Sequence, residues 1–252
     1  MRRFFVEHIP GESAIITLTG KEANHLRNVL RMKQGDPLIL MDGKGLLFEA
    51  RVEKLHHKGV RVHIIRSLPA PDPSPIEIHL AQALIKSRPM DLLIQKATEL
   101  GAASITPFSS ERTAVRTSDE ILSRKMVHWE KIMKTACKQS GRPFLPALKP
   151  PLSFEKIMEG VPHQKTLNVL LWEGEHGTDL KGLLRSMEPQ PHIEVIIGPE
   201  GGFTSREIHI ARGAGFRIVS LGSGILRSET AALTLVSIIQ YEWGDLSVRQ
   251  GV

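Results

Sequence analysis

Short apolar runs separated by turn residues fill the first part of the chain. Ile15–Leu18, Leu38–Met41, Leu46–Val52 and Val60–Ile65 read as strands. Gly35-Asp36-Pro37, Asp42-Gly43-Lys44-Gly45 and His57-Lys58-Gly59 read as the turns between them. Many short strands joined this way predict a small β-barrel. One stretch has a different period. Ala23, Leu26, Val29 and Leu30 recur at helical spacing and predict a helix over roughly Gly20–Leu30. His25, Arg27 and Arg31 then fall on or near its other face, or just past its end. Arg2 and Arg3 precede the apolar Phe4-Phe5-Val6.

Pro69-Ala70-Pro71-Asp72-Pro73-Ser74-Pro75 fits neither period and reads as a stiff linker. The expected organisation is therefore a barrel domain over 1–70, a linker over 71–75 and a larger domain over 76–247. In the larger domain, strand-like runs alternate with helical patterns. The runs are Ile76–Leu84, Ser104–Phe108, Leu167–Trp172, Ile193–Ile197 and Phe216–Leu221. The helices are Pro89–Leu100, about Asp119–Gln139, a short one capped by Ser153, Ser205–Ala214, and Glu229 or Thr230 to about Trp243. Pro146–Pro151 is expected to be extended. This alternation predicts an α/β domain around a parallel sheet. The last helix is apolar on most sides, so burial against the sheet or a second subunit is expected.

Composition narrows the class. The chain is 41% hydrophobic and 24% charged, as in soluble globular proteins. No apolar run is long enough to span a bilayer, and the one behind Met1-Arg2-Arg3 stops at Glu7, too short for a secretory signal. A cytoplasmic location is expected. The single cysteine, Cys137, leaves no internal disulfide or Cys-based zinc site and reads as a packed thiol. The net charge of +6 is uneven. Residues 1–70 hold 12 Lys+Arg against 7 Asp+Glu, and the rest is nearly balanced. A basic small domain beside a nearly neutral larger one suggests a polyanion-binding module attached to a catalytic body.

The candidate chemistry lies where apolar runs end in glycine. Ile197 runs into Gly198-Pro199-Glu200-Gly201-Gly202, Leu221 into Gly222-Ser223-Gly224-Ile225-Leu226-Arg227, and Leu171-Trp172 into Glu173-Gly174. Open α/β sheets bind ligands at the carboxyl ends of their strands. Three such loops side by side would form a pocket for an adenine-type ligand, read by main-chain groups and walled by Leu171, Leu221, Ile225 and Leu226. Other chemistries lack their motifs. There is no P-loop, no complete G-x-G-x-x-G, no G-x-S-x-G elbow and no His-x-x-x-His pair, and the His56-His57 doublet sits in a turn. No metal ligand set is assigned. Lys86, Arg88, Arg112, Gln139, Arg142, Arg227 and Glu229 follow apolar runs or helices without an evident structural task, and an anionic substrate would give them one.

With these residues in view, Ile197–Phe203 (IGPEGGF) followed by Leu221–Ala231 (LGSGILRSETA) resembles the SPOUT class of RNA methyltransferases. Within that class the match is to the ribosomal RNA small subunit methyltransferase E family. Met1–Val6, His25–Met32 (HLRNVLRM), Lys96–Gly101 (KATELG), Ser110–Thr113 (SERT) and Gln139–Arg142 (QSGR) fit it too, so the resemblance spans nearly the whole chain. It implies an open parallel sheet with a carboxyl-terminal trefoil knot, preceded by a PUA-like β-barrel. It implies S-adenosylmethionine as cofactor and methyl transfer to N3 of a uridine in 16S ribosomal RNA, within the small (30S) subunit. It also implies an obligate homodimer with its site near the subunit interface, and no metal or membrane partner.

On this reading the cofactor residues are Leu171, Trp172, Glu173, Ile197, Gly198, Pro199, Glu200, Gly201, Leu221, Gly222, Ile225, Leu226 and Arg227. Arg227 would steady the uridine anion at the base's carbonyl oxygens. Glu200 would take the N3 proton, with Glu229 next. RNA contacts are expected from Arg2, Arg3, His25, Arg27, Arg31, Lys86, Arg88, Arg112, Gln139 and Arg142. Glu200 has a structural alternative, tying its own turn, and Glu229 another, capping the last helix. A non-catalytic RNA-binding protein is the competing reading from another class; it leaves the glycine loops unexplained. An ordinary nucleotide-dependent α/β enzyme lacks its phosphate motifs.

Overall fold

The computed structural model describes residues 1–69, 71–115, 118–160 and 165–246. Ala70 and Ser247, where the expected domains end, lie outside them. Contacts group the chain into two units: Met1–Asp72 with Lys134–Leu145, and Pro73–Met133 with Pro146–Val252.

The first unit holds β1 (Arg2–Phe5), β2 (Ile15–Leu18), α1 (Gly20–Asn24), a π-helical turn (His25–Val29), β3 (Pro37–Met41), β4 (Leu47–His56) and β5 (Gly59–Leu68). The strands form one sheet in the order β1-β3-β4-β5-β2. Alternation explains it: Leu38 and Leu40, Ala50 and Val52, Val60, Val62 and Ile64 turn inward onto Phe4 and Leu26, while their neighbours face outward. The expected single helix over Gly20–Leu30 is corrected. Its second half widens, with Leu30 N–H donating to His25 O and Met32 N–H to Leu26 O. The wider turn breaks the 3.6-residue period, so Val29 points out and is 62% exposed while Leu26 stays buried. β1 has no counterpart in the expected strands. It pairs in parallel with β3, a partner that local pattern does not disclose.

Lys134–Leu145 carries the end of a long helix, α3 (Asp119–Ser140), back into the first unit. There Arg3 donates to Lys138 O, and Lys138 pairs with Glu22 at 2.8 Å. Cys137 is buried and donates to Phe144 O; burial pushes its thiol up to about 12.

The second unit is a seven-stranded, wholly parallel sheet. Its strands are β6 (Glu77–Ala83), β7 (Ser104–Ser109), β8 (Ala147–Leu148), β9 (Leu152–Ser153), β10 (Thr166–Leu171), β11 (His192–Ile197) and β12 (Arg217–Val219). The order is β12-β10-β11-β6-β7-β8, with β9 also on β7. The helices are α2 (Ser87–Glu99), the first part of α3, α4 (Phe154–Glu159), α5 (Leu180–Arg185), α6 (Ser205–Gly213) and α7 (Ser228–Glu242). Both sheet faces are apolar, as a parallel sheet covered on both sides requires. Ala81, Ala83, Leu170 and Ile196 meet Phe108, Phe154, Phe203 and Ile208 on one side. Ile78, Leu80, Ile193 and Val195 are fully buried on the other. α7 buries Ala231, Ala232, Leu235, Val236 and Ile239 and packs on α2 and β11.

Local chemistry sets the helix ends. Pro89 sits in the first turn of α2, and Gly101, at φ +81°, closes its carboxyl end. Thr204 and Glu207 form a capping box at α6. α5 was not expected: six residues with Gly182 inside give too short a pattern to read. No helix among the described residues is long and apolar enough to cross a membrane.

Candidate active site

All strands of the second unit run the same way, so the loops after β10 and β11 open at one end of the sheet, and the loop after β12 opens with them. There they enclose a cavity of about 560 Å³, within the range of small-molecule sites. Leu171, Trp172 and Glu173 line it from β10. Ile197, Gly198, Pro199 and Glu200 line it from β11, and Leu221, Gly222, Ile225, Leu226 and Arg227 from the β12 loop. Glu229 lines it from α7 and Lys86 from the N-cap of α2. Gly201 does not line it. Its Cα faces Arg112, whose guanidinium donates to Gly201 O at 3.2 Å.

The β11 loop is held from several directions. Gly198 O accepts a 2.6 Å hydrogen bond from Ser228 Oγ, which in turn accepts from the buried Gln82 Nε2 at 2.9 Å. A carbonyl can only accept, so the donor direction along this relay is fixed. Glu200 Oε1 accepts from the Lys86 N–H at 3.2 Å, tying the loop to the head of α2. Gly202 has φ +67°, which disfavours any side chain, and its Cα lies against the Glu173 carboxylate, which an added Cβ would push aside. The Glu207 carboxylate, buried at the head of α6, accepts from Glu111 N and Thr204 N and so pins the neighbouring β7 loop.

The β12 loop is different. Gly222 to Leu226 are exposed, and their backbone and side chains make no hydrogen bond among the described residues. Arg227 is exposed at the head of α7 and makes no ion pair among the described residues. Glu229 is half-buried in the first turn of α7.

The remaining basic candidates divide between the units. Arg2, Arg3, His25, Arg27, Arg31, Gln139 and Arg142 belong to the first, and Lys86, Arg88 and Arg112 to the second. Three have structural tasks that sequence could not show. Arg3 lies over Gly141, Arg27 donates to His56 O and His57 O, and Arg112 holds the β11 loop. Ser220, Ser223, Ser228 and Ala231 line the cavity without having been assigned to it. Ser228 in particular carries no local signal, because its partners lie on other strands.

An RNA methyltransferase domain model matches residues 72–240, and an RNA methyltransferase PUA domain model matches 18–65. Ribosomal RNA small subunit methyltransferase E of Synechocystis sp. is 34% identical over 218 residues, covering 86% of this chain and 70% of that protein. The chain belongs to the ribosomal RNA small subunit methyltransferase E family. Two solved structures extend the family likeness to the fold. One is a putative methyltransferase from Legionella pneumophila in complex with the bound cofactor SAM, 36% identical, TM-score 0.89, covering 97% of this chain and 98% of that one. The other is the family's enzyme from Neisseria gonorrhoeae bound to S-adenosylmethionine, 31% identical, TM-score 0.90, covering 98% and 100%. The architecture, a PUA-like unit followed by an α/β methyltransferase unit with a parallel sheet, is therefore the family's.

Proposed function

We propose that the protein methylates N3 of a uridine in 16S ribosomal RNA, within the small ribosomal subunit, and that S-adenosylmethionine binds in the cavity at the carboxyl ends of β10 and β11. The carrying observation is the cavity: about 560 Å³, with glycine-rich main chain on two sides and apolar walls from Leu171, Ile197, Leu221 and Leu226. This lining fits the cofactor. Apolar side chains can sandwich an adenine, and exposed main-chain groups can read its edge. At Gly222 and Gly224 an added Cβ would meet nothing within 4 Å, leaving open space beside the backbone. When bound, the cofactor supplies an activated methyl group on a sulfonium.

The residues' work is positioning and charge. The β11 loop, braced by Ser228, Glu200 and Arg112, fixes one wall, so the acceptor nitrogen can be held in line with the methyl carbon. Uridine N3 must lose its proton. Arg227, unpaired among the described residues, stands at the rim to face the base's carbonyl oxygens as charge builds there. The lining holds three carboxylates, Glu173, Glu200 and Glu229, and of these Glu200, then Glu229, is assigned to accept the proton. Glu200 already spends Oε1 on Lys86 N–H, so its free oxygen is Oε2.

The basic groups of the PUA-like unit, Arg2, Arg3, His25, Arg27 and Arg31, with Gln139 and Arg142, bind the RNA backbone; Lys86 and Arg88 do so from the second unit, while Arg112 is engaged with the β11 loop. The working form is a homodimer. Exposed Ile225 (84%) and Leu226 (40%) on the unbraced loop support a second copy there. The carboxyl-terminal segment forms a trefoil knot. Ser228 reaching back to Gly198, and β12 pairing with β10, support that threading. The compartment is the cytoplasm, where small subunits are assembled.

Calorimetry with S-adenosylmethionine, followed by transfer of labelled methyl to undermethylated small subunits, tests the function. One cofactor bound per chain and label in 16S RNA is expected. Tight RNA binding with no cofactor binding would instead identify a non-catalytic RNA-binding protein.

A further inference from the structure

At the amino-terminal ends of the central strands three groups converge that methyl transfer does not use. Glu77 and His79 are two apart on β6, so their side chains leave the same sheet face, and His192 of β11 lies directly opposite Glu77 in the parallel register. Glu77 Oε2 stands 3.3 Å from His192 Nδ1 and 3.5 Å from His79 Nε2. Both separations exceed the ~2.7–2.9 Å of a charge-assisted N–H···O bond. They match a coordination edge instead: two ligands each ~2.05 Å from a tetrahedral Zn²⁺ lie about 3.3 Å apart. The three donor atoms all fall within 4.8 Å of one another, the one such group among the described residues.

Two further features favour a metal over a mere charge cluster. The far nitrogen of His79, Nδ1, is 2.9 Å from Ser104 Oγ, so the ring is held from behind with Nε2 turned toward Glu77. Outer partners of this kind orient ligating histidines. β6 and β11 are also inner strands of the sheet, hydrogen-bonded on both sides, which fixes the spacing of the donors. Glu77 and His192 are exposed and His79 is half-buried, so an ion can enter from solvent. Glu194, opposite His79 in register, and Lys149 are the other charged groups beside it.

We propose that Glu77, His79 and His192 bind a divalent transition-metal ion of the zinc class, at the opposite end of β6 and β11 from the methyl-transfer cavity. Two imidazoles and one carboxylate are a donor set that suits Zn²⁺, with water completing the fourth position. The ion clamps two adjacent central strands and takes no part in methyl transfer.

The test uses the full chain stripped of metal, titrated with Zn²⁺ by calorimetry and with Co²⁺ by visible absorption. One ion per chain, tetrahedral Co²⁺ bands and a higher melting temperature with Zn²⁺ are expected. His79→Gln and His192→Gln should each abolish the bands and the metal-dependent rise in melting temperature while methyl transfer persists. The chain has 11 histidines, so the double variant serves as the baseline for binding elsewhere. Should a ligand variant fail to fold, Ser104→Ala keeps all three donors and should weaken Zn²⁺ binding about tenfold. Wild-type protein binding no more Zn²⁺ than the double variant, or Co²⁺ bands that persist in the variants, would overturn the site.

Discussion

The two glycine-rich loops at the carboxyl end of the sheet look alike in sequence and differ in structure. The loop after β11 is built before any ligand arrives: Ser228 grips Gly198 O, Lys86 N–H ties Glu200, and Arg112 holds Gly201 and Phe203. The loop after β12 has no such ties from Gly222 to Leu226 among the described residues, and Ile225 is its most exposed apolar residue. One wall of the cavity is therefore braced by hydrogen bonds and the other is not. Such a division places positioning on the braced wall and leaves the other to gain contacts when a ligand binds.

The largest effect expected from breaking this arrangement is on the unbraced wall. Arg227→Ala should lower methyl transfer about 10²–10³-fold, as loss of a charge-stabilising group does. Its affinity for S-adenosylmethionine, measured by calorimetry, should change far less than turnover. Next comes the braced wall. Gly202→Ala places a Cβ at φ +67° against Glu173, and a loss of about 1–3 kcal/mol in denaturant unfolding is expected.

Ser228→Ala should cost about 1–3 kcal/mol by leaving Gly198 O and Gln82 Nε2 without this partner in a buried place. Ser228→Thr should restore most of it. Ser223→Ala, on the free loop, should stay within about 0.5 kcal/mol of wild type. If Ser223 and Ser228 variants lost equal stability, the distinction between the walls would fail. Hydrogen exchange sharpens the comparison without mutation. Amides 222–226 should exchange quickly in the free protein and slow on adding S-adenosylmethionine, while the 198–203 loop changes little.

Sequence showed the loops themselves, because glycine clusters directly after apolar runs carry a local signal, and the alternation of strand and helix showed the α/β class. It did not show what separates them. Ser228, Gln82 and Gly198 are distant in the chain, and only the sheet register joins them. Arg112 looked like a free cation because its acceptor, Gly201 O, lies on another strand's loop. The π-helical turn at His25–Val29 was hidden for a related reason: one widened turn shifts every later position, and the period carries no warning of it. The return of Lys134–Leu145 to the first unit was equally hidden, since no break in composition marks it. Glu77-x-His79 was visible as two residues, but its third member needed β11 beside β6.

The proposed reaction is methyl transfer to a ribosomal uridine at this cavity. Its most direct test is nucleoside mapping by mass spectrometry of 16S RNA from small subunits made without this protein, then treated with it and S-adenosylmethionine bearing a deuterated methyl. Deuterated N3-methyluridine at a single position is expected, formed about 10²–10³-fold more slowly when Arg227→Ala protein is used. Label at another base or atom, or no label in subunits that bind the protein, would contradict it.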